Sequence, residues 1–197
     1  AKPRHVQDAL LVCVSAAFFV SHARYALDTG SLTNVFFAIE QGLLAAMFLT
    51  RRRSQFTSTR VFDWVVAFAS WLPLAMRPLE THGTAASTGS VIQMVGLTLV
   101  IVSFATLGRS FGVVAANRGL KIGGPYRLVR HPIYFSHSVT LLGVVIANFN
   151  WINLTIALVA TSCQFFRMDA EERVLAATSD YATYKERVRY RLIPGLY

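Results

Sequence analysis

His131 stands immediately before Pro132, with Arg127 and Arg130 upstream, Tyr134 downstream and an apolar run beginning at the proline. Proline suits a first helical turn, because its missing N–H costs nothing there and its fixed φ is already helical. His131 is thereby placed at the N-terminal edge of a helix, where open backbone N–H groups and the helix dipole attract a carboxylate or phosphate. Arg127 and Arg130 add positive charge, and the Gly123-Gly124-Pro125 turn permits a close backbone approach. The apolar run from Pro132 turns around Asn148 to Asn150, and a second run returns from Trp151 over a similar distance at about 1.5 Å per residue. The returning end carries Arg167, Asp169, Glu171 and Glu172, so the hairpin brings these to the boundary where His131 and Tyr134 begin. Arg167 and Glu171 are spaced i, i+4 and share a helical face.

Such a mixed-charge mouth suits a zwitterionic, adenine-bearing cofactor. Cationic groups would meet its carboxylate, an acidic group its ammonium or ribose hydroxyls, and aromatic faces its ring and sulfonium. Tyr126, Tyr134, Tyr181 and Tyr184 are the available aromatics. The same residues also fit a surface ion pair between Arg167 and Glu171 with Tyr134 as an interfacial belt residue. Spacing alone leaves both readings open.

The elements that would position this mouth are membrane spans. Of 197 residues, 54% are hydrophobic and only 15% charged, a balance that fits bilayer rather than water as solvent. A hydrocarbon core about 30 Å thick takes roughly 20 apolar residues per helix. Six runs qualify as candidates: Val6 to Tyr25, Leu32 to Thr50, Val61 to Met76, Ser90 to Leu107, Pro132 to Phe149 and Trp151 to Phe166. The expectation is an all-α, polytopic transmembrane bundle of about six spans, with five as the alternative because the third and sixth are short. All but Arg24 and Arg77 of the 19 Lys and Arg residues fall on one side in a six-span arrangement. That distribution predicts both termini, and the cofactor mouth, at the cytoplasmic face. The net charge of +9 is therefore divided among interfacial loops rather than gathered as a nucleic-acid surface. Arg51, Arg52 and Arg53 read as a topology anchor that also touches anionic lipid. The whole of 1–197 reads as one domain, with 107–197 as its cofactor-binding half.

Outside the hairpin the most conspicuous polar residue is Glu40, mid-way along the second span, where an ionised carboxylate is costly unless paired. It reads equally as an acceptor-site group or base and as a hydrogen-bonded tie between helices. Gln93 and Ser103 fit interhelical hydrogen bonds, and His22 and Arg24 fit the opposite interface. His137 falls about 240° round the helix from His131 and should point away from the motif. Cys13 and Cys163 lie in apolar runs as small hydrophobes, and no metal site is expected. The stretch from Leu107 to Gly124, with Gly108, Gly112 and Gly119, reads as a lid over the pocket or an interfacial connector.

The string Gly124-Pro125-Tyr126-Arg127-Leu128-Val129-Arg130-His131-Pro132-Ile133-Tyr134, then Glu171-Glu172, then Tyr181-x-x-Tyr184-x-x-Arg187-Val188, resembles the isoprenylcysteine carboxyl methyltransferase family. The resemblance covers roughly Leu107 to Tyr197, and that family is related to phospholipid N-methyltransferases. It implies an integral membrane enzyme that uses S-adenosylmethionine and takes a lipophilic acceptor from the bilayer, with membrane lipids as its surroundings. Carried over by position, Tyr126, Arg130, His131, Pro132, Tyr134, Glu171, Glu172, Tyr181 and Tyr184 would bind the cofactor, with Arg127 and Arg187 close by. Glu172 and Arg167, together with Glu40 from the second span, are the candidates for catalytic work. Phe135-Ser136-His137 and Thr178-Ser179-Asp180 stand where family members often carry glycine. The ending Val188-Arg189-Tyr190-Arg191-Leu192-Ile193-Pro194-Gly195-Leu196-Tyr197 also resembles the tail of NADPH-dependent membrane sterol reductases, which is the alternative activity. A membrane transporter without enzymatic activity is the third reading.

Overall fold

The computed structural model describes residues 3–76 and 83–196. Lys2, Arg77 and Tyr197, which entered the charge count or the tail motif, lie outside the described residues. The architecture is all-α, with seven helices and one two-residue β ladder among the described residues. Helix α1 (Pro3–Thr29) ends at Gly30, whose φ of 70° suits glycine. Ser31 then caps α2 (Leu32–Thr50) by accepting from the Asn34 N–H, so α1 and α2 form an antiparallel pair.

The third apolar run does not form the continuous span expected over Val61 to Met76. Helix α3 covers only Val61–Ala69 and gives way to a 3-10 turn at Leu72–Ala75. The break has a local cause. Pro73 disfavours helical backbone at the residue before it and offers no N–H, and Ser70 turns its hydroxyl back onto the Ala67 carbonyl at 2.6 Å. At about 1.5 Å per residue, α3 rises about 14 Å, half of a hydrocarbon core.

Helix α4 (Thr84–Leu107) starts earlier than the expected Ser90, and α6 (Trp151–Leu175) runs well past Phe166. Between them lies α5 (Pro132–Ala147), and a short α7 (Ser179–Arg187) follows α6. Among the described residues, three helical stretches are long and apolar enough to cross a membrane: Asp8–Thr29, Leu32–Thr50 and Thr84–Ser110. Their outer faces carry exposed Leu27, Leu49, Val91 and Val95, as lipid-facing surfaces do. The chain is an integral membrane protein of the all-α class.

The expected hairpin of α5 and α6 is present, with Asn150 capping α6 by accepting from the Asn153 N–H at 2.8 Å. Yet α5 packs most closely on α4 rather than α6. Glycines allow this. A Cβ on Gly96 would lie 2.4 Å from Thr140 Oγ1 and 2.5 Å from its nitrogen, and one on Gly143 would lie 2.4 Å from the Gln93 nitrogen. Small residues bring the two backbones together, as is usual where lipid removes the hydrophobic drive between helices.

Candidate functional site

Pro132 is the first residue of α5, and His131 is its buried N-cap residue with no side-chain capping bond. The imidazole is held between two carboxylates of α6 instead. His131 Nε2 lies 3.1 Å from Glu172 Oε1, and Nδ1 lies 3.8 Å from Glu171 Oε2. Tyr134, one turn on, donates its hydroxyl proton to Glu171 Oε1. The hairpin arithmetic therefore brings together the residues it should.

Glu172 is a hub. Besides His131, Arg130 Nε and Arg191 Nε each donate to its Oε1 at 3.0 Å, and Lys185 Nζ lies 3.8 Å from Oε2. Burial by itself would raise its pKa, but the bonds from His131, Arg191 and Arg130 hold the carboxyl well below the usual carboxylate range. A carboxylate so held accepts a proton poorly near neutrality, which fits Glu172 to holding His131 and Arg130 in place better than to acting as a base.

Two donors just before the start of α5, the Arg130 and His131 N–H groups, are already engaged. The Arg130 N–H donates to the Tyr190 carbonyl at 3.0 Å and the His131 N–H to the Arg191 carbonyl at 2.9 Å. Arg130 Nη1 donates to the Val188 carbonyl at 2.9 Å. The C-terminal segment thus satisfies these donors, and Arg130 serves as a bolt for the tail.

Arg167 does not pair with Glu171 as the i, i+4 spacing allows. Its Nη1 donates to Ser70 Oγ at 2.7 Å and its Nη2 to the Val113 carbonyl at 2.8 Å, while its guanidinium stands 5.3 Å from the Tyr134 ring centroid. It joins α6 to the end of α3 and to the 108–121 connection. Asp63, which the sequence reading passed over, does similar work: buried on α3, it accepts from Arg173 Nη2 at 2.8 Å and from Ser58 Oγ at 2.5 Å. An acid in the first turn of an amphipathic segment was the available signal.

The connection after α4 roofs a cavity of about 850 Å³, counting the part open to solvent. Ser110, Phe111, Gly112 and Lys121 line it from the roof, and Tyr126, Arg130, His131, Tyr134, Arg167, Glu171, Tyr181 and Tyr184 from below. The roof is stitched down rather than hanging free. Its strand β2 (Ala116–Asn117) pairs antiparallel with β1 (Phe56–Thr57), and Arg52 N–H donates to the Arg109 carbonyl at 2.8 Å. Gly124, at φ 53°, lets the chain pass Thr106, whose Oγ1 a Cβ would meet at 2.8 Å.

The four tyrosines differ. Tyr184 donates to the Tyr126 carbonyl at 2.7 Å, so it ties α7 to the 3-10 turn Gly124–Arg127. Tyr126 and Tyr181 line the cavity with buried hydroxyls that make no hydrogen bond. The Tyr181 hydroxyl faces Glu172 electrostatically but does not reach hydrogen-bond geometry with it. Burial, then Glu171 and Tyr184, raises the Tyr126 pKa well above its ordinary value, and burial leads the rise to about 12 at Tyr184. Both stay protonated donors at physiological pH.

Six residues singled out in the sequence, Glu40, Arg127, Pro132, His137, Glu172 and Arg187, are absent from the cavity wall, Glu172 standing behind His131 and Arg130 rather than in it. Glu40 is buried on α2 and is not among the lining residues. Pro132 contributes the helix start, and Arg127 and Arg187 are exposed. His137 turns away as expected and packs edge-on to Phe104 at 6.0 Å.

An all-α membrane protein that closes a mixed-charge, tyrosine-lined cavity at one end of its bundle is the class the geometry defines. Residues 84–180 match the family model of phospholipid methyltransferases. The match begins at the start of α4, well before the Leu107 boundary drawn from motifs, and ends at Asp180, just before Tyr181. It lends nothing to the reductase alternative. No curated protein matches the chain.

Proposed function

We propose that the chain transfers a methyl group from S-adenosylmethionine, held in the cavity under the 108–121 roof, to a lipophilic acceptor taken from the bilayer. The observation that carries this reading is the pair of buried, unpartnered hydroxyls of Tyr126 and Tyr181 on a cavity that also presents Glu171 and Lys121. Buried polar atoms without partners are rare in finished interiors and mark a place where a polar ligand completes them. The residues fit the cofactor: Glu171 and His131 suit its ammonium and hydroxyls, Lys121 its carboxylate, and the Tyr134 face its cationic sulfur. When bound, S-adenosylmethionine supplies an already activated methyl.

The chain's contribution is then position and exclusion of water. Glu172 locks His131 and Arg130, Arg167 pins the roof through Val113, and the apolar Leu107, Phe111 and Ile133 face the cavity where a lipophilic acceptor would approach. Displacement at a sulfonium methyl needs alignment more than a strong base. The placement of basic residues supports a cytoplasmic cavity and cytoplasmic termini. The order of motifs favours an isoprenylcysteine carboxyl methyltransferase-like active site over other members of the broad family.

Titration calorimetry in detergent with S-adenosylmethionine, S-adenosylhomocysteine and NADPH tests the reading. Binding of both adenosyl compounds is expected. Binding of NADPH with neither adenosyl compound bound would overturn it in favour of a reductase.

A further inference from the structure

A second opening lies beside the candidate site at the arginine-rich end of the bundle, with a volume of about 1930 Å³ counting the space open to solvent. One wall is basic, formed by Arg51, Arg52 and Arg53 at the end of α2. The other is apolar, formed by Leu10, Trp64 and Phe68 from α1 and α3. Asp8 is the single acid among the lining residues, and it is paired with Arg51, so the wall as a whole is strongly positive.

Three segments far apart in sequence build this cavity, and each is fastened. Trp64 Nε1 donates to the Ser58 carbonyl at 3.0 Å, and Arg118 Nη1 donates to the Arg52 carbonyl at 2.8 Å. Arg52 and Arg53 keep exposed side chains. The apolar wall is continuous with surface that faces outward along α3 and α1: Phe68 is 55% exposed, Val65 57% and Leu10 63%. Guanidinium groups at the boundary above a ledge of apolar side chains match the two halves of an amphiphile. A free anion would use only the first half.

We infer that this cavity holds the anionic headgroup of a membrane glycerophospholipid, with Arg52 and Arg53 on its phosphate and Leu10, Trp64 and Phe68 along its acyl chains. A topology anchor alone would need the arginines but not the cavity or its apolar wall. Each arginine near an anionic lipid surface is worth about a fivefold change in binding. The inference is independent of the methyl-transfer reading, although Val114 and Arg118 line both cavities and put the lipid against the outer side of the roof.

Native mass spectrometry of the purified full chain in neutral detergent, titrated with phosphatidylglycerol and with phosphatidylcholine of the same acyl chains, tests it. One phosphatidylglycerol should be retained in preference to phosphatidylcholine. Arg52→Gln with Arg53→Gln should weaken that retention by about twenty-fivefold, and Arg53→Gln alone by about fivefold, should the double variant fail to fold. Arg60→Gln, an exposed arginine outside the lining, should leave retention unchanged. Equal retention of the two lipids overturns the site. So does an Arg60 variant as weakened as the double one, which would mean diffuse charge. Displacement of the lipid by inorganic phosphate would also overturn it, because the apolar wall would then contribute nothing.

Discussion

Replacing Glu172 by glutamine removes one negative charge and almost no volume, at a carboxylate that answers Arg130, His131, Arg191 and, at longer range, Lys185. The Glu172 side chain is 10% exposed and that of Arg130 only 5%, so solvent replaces little of what is lost. Removing one partner of a buried ion pair costs about 3–5 kcal/mol, because the other charge is left uncompensated. The remaining bonds of Arg130 to the tail carbonyls reduce that, and about 3 kcal/mol is the expectation. For a chain of this size that corresponds to a fall in Tm of about 6–12 °C. A thermal unfolding scan in detergent reads it directly. The pH dependence gives a second reading. Glu172 is held below its unfolded value of 4.5, so its stabilisation is complete above that value and is lost as pH falls below it. The wild-type chain should therefore lose Tm on acidification below about pH 5, and the Gln variant should lose less over the same range. A Tm within about 2 °C of wild type at pH 7, or parallel acid limbs, would refute the hub reading.

Tyr126→Phe removes a buried hydroxyl that has no protein partner, so Tm should stay within about 2 °C while affinity for S-adenosylhomocysteine falls about five- to tenfold; unchanged affinity by calorimetry would take Tyr126 out of the site. Gly96→Ala places a Cβ against Thr140 backbone and should cost about 1–3 kcal/mol, whereas Gly42→Ala meets only the edge of Phe19 at 3.3 Å and should cost far less. Paired thermal scans decide between them, and equal losses would refute the close α4–α5 seam. Arg191→Ala removes a donor to both Glu172 and Asp169 and should loosen the tail, seen as faster amide exchange at residues 188–191, with protection unchanged if the tail is held by backbone bonds alone.

What could be read in the chain by itself was local. Apolar run length marked the long helices, Pro132 marked the start of α5, and Asn148 to Asn150 marked the turn into α6. From those, rise per residue was enough to bring His131 and Tyr134 to Glu171 and Glu172. The break in α3 was also local, since Pro73 stands in the run, but its apolar character hid it from a scan for hydrophobicity.

Only the tertiary structure decided how the charges are spent. Arg130 looked open to an anion, yet the 188–191 segment takes its guanidinium and the Arg130 and His131 N–H groups, and Arg167 passes over Glu171 to hold Ser70 and Val113. Glycines at 89, 96 and 143 do not announce which helix they face, and α5 chose α4 over its own hairpin partner. The reason is physical. Helix periodicity and turn chemistry depend on neighbours within a few residues, whereas a guanidinium or a glycine face satisfies whichever distant acceptor or backbone the packing brings near. The motif around His131 thus named residues that come together in space, and the packing of the tail, the roof and α6 assigned each of them its contacts.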